Sequence, residues 1–150
     1  MMRIALYQPD IAGNTGTILR LAACLNIAVD IIEPCGFPFG DHSMRRAGMD
    51  YMDQVDYARH SSWDAFVDTS PRRLVLLTTK AETPYTGFRF KPDDVLLLGR
   101  ESAGVPDHVH QAIPDRITIP MAGHARSLNV ALAAAMVLGE SLRQTGLMPE

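Results

Sequence analysis

At 150 residues, with 47% hydrophobic and 21% charged side chains, the chain is long enough to bury a core and is expected to form one domain, residues 1–150. A formal net charge of -3 excludes a broadly basic nucleic-acid binder, although a local arginine patch stays open. The start, Met1-Met2-Arg3-Ile4, runs straight into Gln8-Pro9-Asp10 without a signal-peptide core, so a soluble, cytoplasmic chain with no membrane contact is expected. Its two cysteines, Cys24 and Cys35, have no metal-ligand spacing and read as reduced thiols.

In chain order the pattern alternates strand and helix. Arg3 to Tyr7 reads as a strand, and a helix is expected from about Thr15 to Leu25 with Asn14 as its N-cap. Ala28 to Ile32 is a second strand, ended by Pro34. This β-α-β start implies a parallel sheet. Ser43 to Ala47 reads as one or two helical turns carrying Arg45 and Arg46. Val55 to Ala58 is a weak strand and Ser62 to Thr69 a short helix. Leu74 to Thr79 and Val95 to Leu98 are apolar runs of buried-strand type. Pro106 to Ala112 fits a helix with proline in its first turn.

Arg116 to Ile119 is a last strand, followed by a helix from Leu128 to about Arg143 with Ser127 as its expected N-cap. From Leu128 to Leu138 only Asn129 is polar, so this helix should be buried all round. Ala131, Ala135 and Gly139 form a small-residue face, and Val130, Ala134, Val137 and Leu138 share another. One face can cover the chain's own sheet; the other reads as a contact with a second subunit.

Ligands in open α/β sheets bind outside the carboxyl ends of strands. Those ends are Gln8–Gly16, Thr78–Tyr85, Gly99–Pro106 and Pro120–Ser127. In the first, Gly13-Asn-Thr-Gly16 allows close backbone approach at a helix start, but it is neither G-x-G-x-x-G nor a P-loop. Arg20 stands between apolar Leu19 and Leu21, against the alternative of a plain solvated arginine. Arg100-Glu-Ser102-Ala-Gly104 imitates a nucleophile elbow, with Asp115 and His124 following in hydrolase order. Its first position is Arg100, where the elbow needs a small residue, so glycine-permitted wrapping of a ligand fixed by Glu101 is the preferred reading. His108 and His110 should point apart on a helix. His42, His60 and His124 read as isolated surface residues, and no zinc site is expected.

Taken together, Asn14-Thr-Gly-Thr-Ile-Leu-Arg20, Leu98-Gly-Arg-Glu-Ser-Ala-Gly-Val-Pro106 and Ile119-Pro-Met with Arg126-Ser-Leu-Asn129 resemble the three motifs of the SPOUT methyltransferases. Leu6-Tyr7, Ile31-Ile-Glu-Pro34, Arg45-Arg-Ala-Gly48 with Asp50-Tyr51, and Leu77-Thr-Thr-Lys80 are similar to the small branch that methylates the ribose of tRNA nucleotide 34. The resemblance implies an α/β fold, a mostly parallel sheet flanked by helices whose C-terminal segment threads a trefoil knot, and a homodimer. It also implies S-adenosylmethionine (AdoMet) as methyl donor, no metal, and the wobble-nucleotide 2'-hydroxyl in a tRNA anticodon loop as acceptor, with cytidine, modified uridine or both as the base. A different ribose 2'-O-methyltransferase of rRNA or tRNA, and a non-catalytic RNA-binding module, are the alternatives.

Carried over by position, the family's catalytic residues fall on Arg20, Asn14, Ser127 and Asn129. Donor contacts fall on Leu77, Gly99, Ile119 and Ser127, with Thr78, Glu101 and Met121 beside them; Glu101 and Asn129 also match positions that shape the knot loops. Arg20, Arg45, Arg46 and Arg126 are the expected RNA contacts, and Arg100 can add to that patch. The sequence departs from the pattern at Ala12-Gly13, where prolines are common, at Ser102-Ala103, which lacks a frequent arginine, and at Gly139, which replaces a tyrosine.

Overall fold

The computed structural model describes residues 1–69, 71–124 and 128–150, the side chains of residues 49 and 50 excepted. Six strands form one parallel sheet: β1 (Arg3–Tyr7), β2 (Ala28–Ile32), β3 (Tyr57–His60), β4 (Leu74–Leu77), β5 (Val95–Leu98) and β6 (Asp115–Ile117). Their spatial order is β3-β2-β1-β5-β4-β6, every pair parallel. The order reverses between β1 and β5, the kind of switch point beside which α/β sheets bind ligands.

Both sheet faces are covered, which is why the central strands β4 and β5 read as continuous apolar runs rather than alternating ones. Ile4, Leu6, Leu96 and Leu98 face one core with Ile18 and Leu19 of α1 (Ala12–Leu25), Met44 of α2 (His42–Gly48), and Val137 and Leu138 of α5 (Val130–Thr145). Ala5, Tyr7, Val95 and Leu97 face the other, with Phe66 of α3 (Trp63–Thr69) and Val109 and Ile113 near α4 (Asp107–Ala112). Burial of this kind is worth ~25 cal/mol per Å² of apolar surface and dominates the fold's stability.

Several sequence expectations need correction. Helix α1 starts at Ala12, not Thr15, and Ile11 is its N-cap, without a side-chain cap bond. Asn14 therefore lies inside the first turn. The role of a capping side chain is taken from far along the chain: Glu101 Oε2 accepts from the amides of Asp10 (3.3 Å) and Ile11 (2.7 Å).

Helix α5 starts at Val130, and its N-cap is Asn129, whose side chain accepts from the amides of Ala131 and Leu132 at 2.8 and 3.3 Å. Ser127, the expected cap, lies outside the described residues, as does Arg126. Nor is α5 buried all round. Ala134, Val137 and Leu138 are fully buried, while Leu132 is 61%, Met136 43% and Leu128 38% exposed, and Ala135 is exposed beside them.

β6 ends at Ile117 because Thr118 leaves the ladder to bridge Pro84. β3 begins at Tyr57, two residues later than its apolar run, since Val55 is buried in the core ahead of it. His60 is not an isolated surface residue. Its Nε2 bonds Asp30 Oδ1 at 2.9 Å, its ring lies edge-on to Phe66, and Asp30 also takes a two-pronged bond from Arg3. Among the described residues, no helix is long and apolar enough to cross a membrane.

Candidate active site

A cavity of roughly 460 Å³ opens at the carboxyl ends of β4, β5 and β6, where the first turns of α1 and α5 meet. Its volume lies within the range of small-molecule sites. Apolar walls come from Leu77, Leu98, Ile119 and Val130; polar groups come from Thr78, Glu101, His110 and Asn129.

The floor depends on a missing side chain. A Cβ on Gly99 would stand 2.7 Å from the backbone of Gly104, and Arg100 and Gly104 exchange backbone bonds of 3.0 and 2.8 Å. Only glycine permits this closure. Gly104 itself has φ of +66°, the left-handed region that favours glycine. The loop from Gly99 to Gly104 is thus folded back on itself, with Glu101 projected towards α1.

Around Glu101 the electrostatics are unusual. Burial pushes its carboxyl up, the neighbouring Asp10 carboxylate adds to this, and the amide of Ile11 pulls it back only in part, leaving it at about 7. Burial would raise Asp10 as well, but hydrogen bonds from Ser102 and Glu101 and the charge of Arg100 outweigh it and hold Asp10 below the usual carboxylate range. Arg100 lies 3.7 Å from Asp10. Asp10 Oδ1 is buried without a donor among the described groups.

The same contacts dispose of the hydrolase reading: the Ser102 hydroxyl donates to the Asp10 carboxylate, not to an imidazole. A second tie joins the starts of α1 and α5. Asn129 Nδ2 donates to Asn14 Oδ1 at 3.0 Å, so the amide that caps α5 with its oxygen also grips α1 with its nitrogen.

This architecture matches known proteins along its length. The SpoU rRNA methylase family model covers residues 1–139. The chain belongs to the SpoU rRNA methylase family. A tRNA (cytidine(34)-2'-O)-methyltransferase from Beijerinckia indica is 60% identical, the alignment covering 97% of this chain and 92% of that protein. A solved structure concerned with 2-OH methylation of C/U34 on tRNA is 37% identical with a TM-score of 0.92, covering 96% of this chain and 95% of its own. An AdoMet-bound rRNA methyltransferase from Sinorhizobium meliloti is 28% identical with a TM-score of 0.85, covering 95% of this chain and 56% of its own.

Within this SpoU family member, the expected site residues fall into two places. Asn14, Leu77, Thr78, Gly99, Glu101, Ile119, Met121 and Asn129 all line the one cavity. Arg20, Arg45 and Arg46 lie outside it, exposed on α1 and α2, which pack against each other. Arg45 donates from Nε to the Gly40 carbonyl at 2.9 Å, and the Arg20 guanidinium lies over the Tyr51 ring. Arg100, counted among the patch arginines, is instead turned onto Asp10 beside the cavity.

Sequence reasoning missed Thr79, Lys80 and His110 in the lining. The first two lie in the strand-end segment Thr78–Tyr85 that the sequence marked for ligands, although neither was singled out as a site residue. His110 and His108 do point apart, His108 to solvent and His110 to the cavity, but only the sheet order reveals what lies opposite.

Proposed function

We propose that this chain is a tRNA 2'-O-methyltransferase, working as one domain over residues 1–150 and as a homodimer. It transfers a methyl group from AdoMet to the ribose 2'-hydroxyl of the wobble nucleotide. The observation that carries the reading is the meeting of Asn14, Leu77, Gly99, Ile119 and Asn129 at one strand-end cavity, from which α1 leads on to Arg20.

The residues present fit the donor. Leu77 and Ile119 offer an apolar wall for a purine, the turn at Gly99 offers backbone groups, and Thr78, Glu101 and Met121 complete the lining. Among the described residues the buried Arg100 Nε has no hydrogen-bond partner, and Arg100 belongs to the cavity lining. AdoMet bound there supplies a methyl group on a sulfonium, a good leaving group that needs neither metal nor covalent intermediate.

The protein's task is the acceptor. A ribose hydroxyl is a poor nucleophile until its proton is shared or lost. Arg20 cannot take that proton, because a guanidinium stays protonated. It stabilises negative charge developing on the 2'-oxygen and orients an RNA phosphate that accepts the proton. Arg45 and Arg46 on the adjoining helix hold further phosphates, a local patch that an acidic average charge does not forbid.

The exposed stripe Leu128, Leu132 and Met136 supports the homodimer, since clustered exposed apolar side chains mark interaction surfaces. The trefoil threading belongs to the proposal too. It is supported by the likeness to the family's solved structures.

Nucleoside mass spectrometry of tRNA from cells with and without this protein tests the function. Loss of a 2'-O-methyl nucleoside at position 34 is expected; unchanged tRNA with a methyl group lost from rRNA would contradict the assignment.

A further inference from the structure

The geometry points to Tyr51 as the positioning residue for Arg20: its ring holds the guanidinium by a cation–π contact that leaves the positive charge uncancelled. This rests on the reading of Arg20 as the group that meets the 2'-oxygen.

The Arg20 Cζ lies 5.6 Å from the centroid of the Tyr51 ring, within the ~6 Å over which a ring face attracts a cation. The other arginines with defined partners are held differently. Arg3, Arg59, Arg73 and Arg143 each pair with a carboxylate: Asp30, Glu33, Asp94 and Glu140. Arg72 and Arg100 likewise pair with Asp93 and Asp10, while Arg45 and Arg116 donate to backbone carbonyls. Arg59 and Arg73 also lie over rings, Phe39 at 4.3 Å and Phe88 at 4.9 Å, but with their carboxylates in place. Among the described side chains, Arg20 has the ring and no carboxylate.

The distinction matters for chemistry. A carboxylate would fix the guanidinium firmly but spend its charge on a protein partner. A ring restrains a long, exposed side chain while leaving its N–H donors free for RNA.

The ring's own position is built in. Gly16 and Arg20 are four residues apart and so share one face of α1. A Cβ on Gly16 would stand 2.1 Å from the Met44 carbonyl and 2.9 Å from the Gly48 amide, so α2 meets α1 backbone to backbone at that point. The 3-10 turn Met49–Asp53 follows Gly48 directly, and its Met52 is buried in the core. The amides of Gln54 and Val55 both donate to the Tyr51 carbonyl. The glycine contact thus delivers the half-buried Tyr51 one helical turn further on, where Arg20 is.

The test replaces Tyr51 in the full-length protein with phenylalanine and with its mono-, di- and trifluorinated analogues. These rings have nearly the same shape, while each fluorine drains negative charge from the ring face. Turnover of labelled methyl transfer from AdoMet to tRNA is expected to fall stepwise with fluorine number, by about threefold across the series. The Kd for AdoMet and the Tm should stay constant. Turnover independent of fluorine number, alongside an inactive Arg20→Ala variant, overturns the role of Tyr51 and leaves that of Arg20. Full turnover in Arg20→Ala overturns the reading of Arg20 and the role of Tyr51 with it.

Discussion

Asn129 and Asn14, 115 residues apart, are joined by a 3.0 Å hydrogen bond from Nδ2 of the first to Oδ1 of the second. The bond locks the first turn of α5 to the first turn of α1 at the rim of the cavity. The same Asn129 side chain caps α5 through its oxygen, so stability and site geometry share one amide.

The two duties are separable. Asn129→Ala removes both the cap and the grip and should cost ~1 kcal/mol of stability. Asn129→Asp keeps the capping oxygen and places a negative charge at a helix start, but loses the N–H that reaches Asn14. Thermal unfolding should show a lowered Tm for the alanine variant alone, while methyl-transfer assays show a reduced kcat for both. Wild-type kcat in Asn129→Asp would show that the grip has no part in catalysis.

Glu101 makes stability depend on pH. Its carboxyl stands near 7 in the folded chain against 4.5 ordinarily, so folding favours the protonated form. The stabilisation it contributes is fully present below about 4.5 and is lost as pH rises through about 7. Asp10, held below its ordinary value, stays charged through that window. Glu101→Gln cannot ionise yet still offers an oxygen to the amides of Asp10 and Ile11. Its Tm should fall less between pH 5 and pH 8 than that of the wild type; parallel curves would refute the account.

Gly16 is where α1 and α2 touch. Gly16→Ala forces a Cβ to within 2.1 Å of a backbone oxygen, which cannot yield as a flexible side chain would. Overpacking of this kind costs ~1–3 kcal/mol. Urea unfolding should show a lower midpoint with little change in slope. A neutral substitution would mean that α2 can shift freely.

Much of this was legible beforehand, for identifiable reasons. β1, β2 and β5 fall where their largely apolar runs place them, because strands buried on both faces leave a strong signal even where β2 admits the partnered Asp30. The cavity residues Leu77, Gly99 and Ile119 came from the family resemblance, carried over by position, and each stands at or just past a strand's carboxyl end. What local pattern could not show is long-range. The start of α1 is set by Glu101, some ninety residues away, and the sheet order decides that His110 faces the cavity. The cap of α5 was assigned two residues early, to Ser127, because serine and asparagine are comparable caps and only geometry chooses between them.

The exposed stripe on α5 makes association testable. Leu132→Glu places a charge at its most exposed apolar position. Analytical ultracentrifugation should report a dimer for the wild type and a monomer for the variant, with turnover lost. A variant that remains dimeric would place the interface elsewhere.

Arg20 carries the acceptor chemistry in this account. Electrostatic groups of its kind are worth ~3–4 kcal/mol in the transition state, so Arg20→Ala should lower kcat by about a hundredfold or more. AdoMet affinity, measured by calorimetry, should hardly change, because Arg20 lies outside the cavity lining.

The most direct measurement is single-site mapping of transferred label. Purified protein is incubated with methyl-labelled AdoMet and unmodified tRNA, and the RNA is then digested and its nucleosides assigned to positions. The account predicts label on the 2'-oxygen of nucleotide 34 alone. Label on a base, at another position, or nowhere despite bound AdoMet would contradict it.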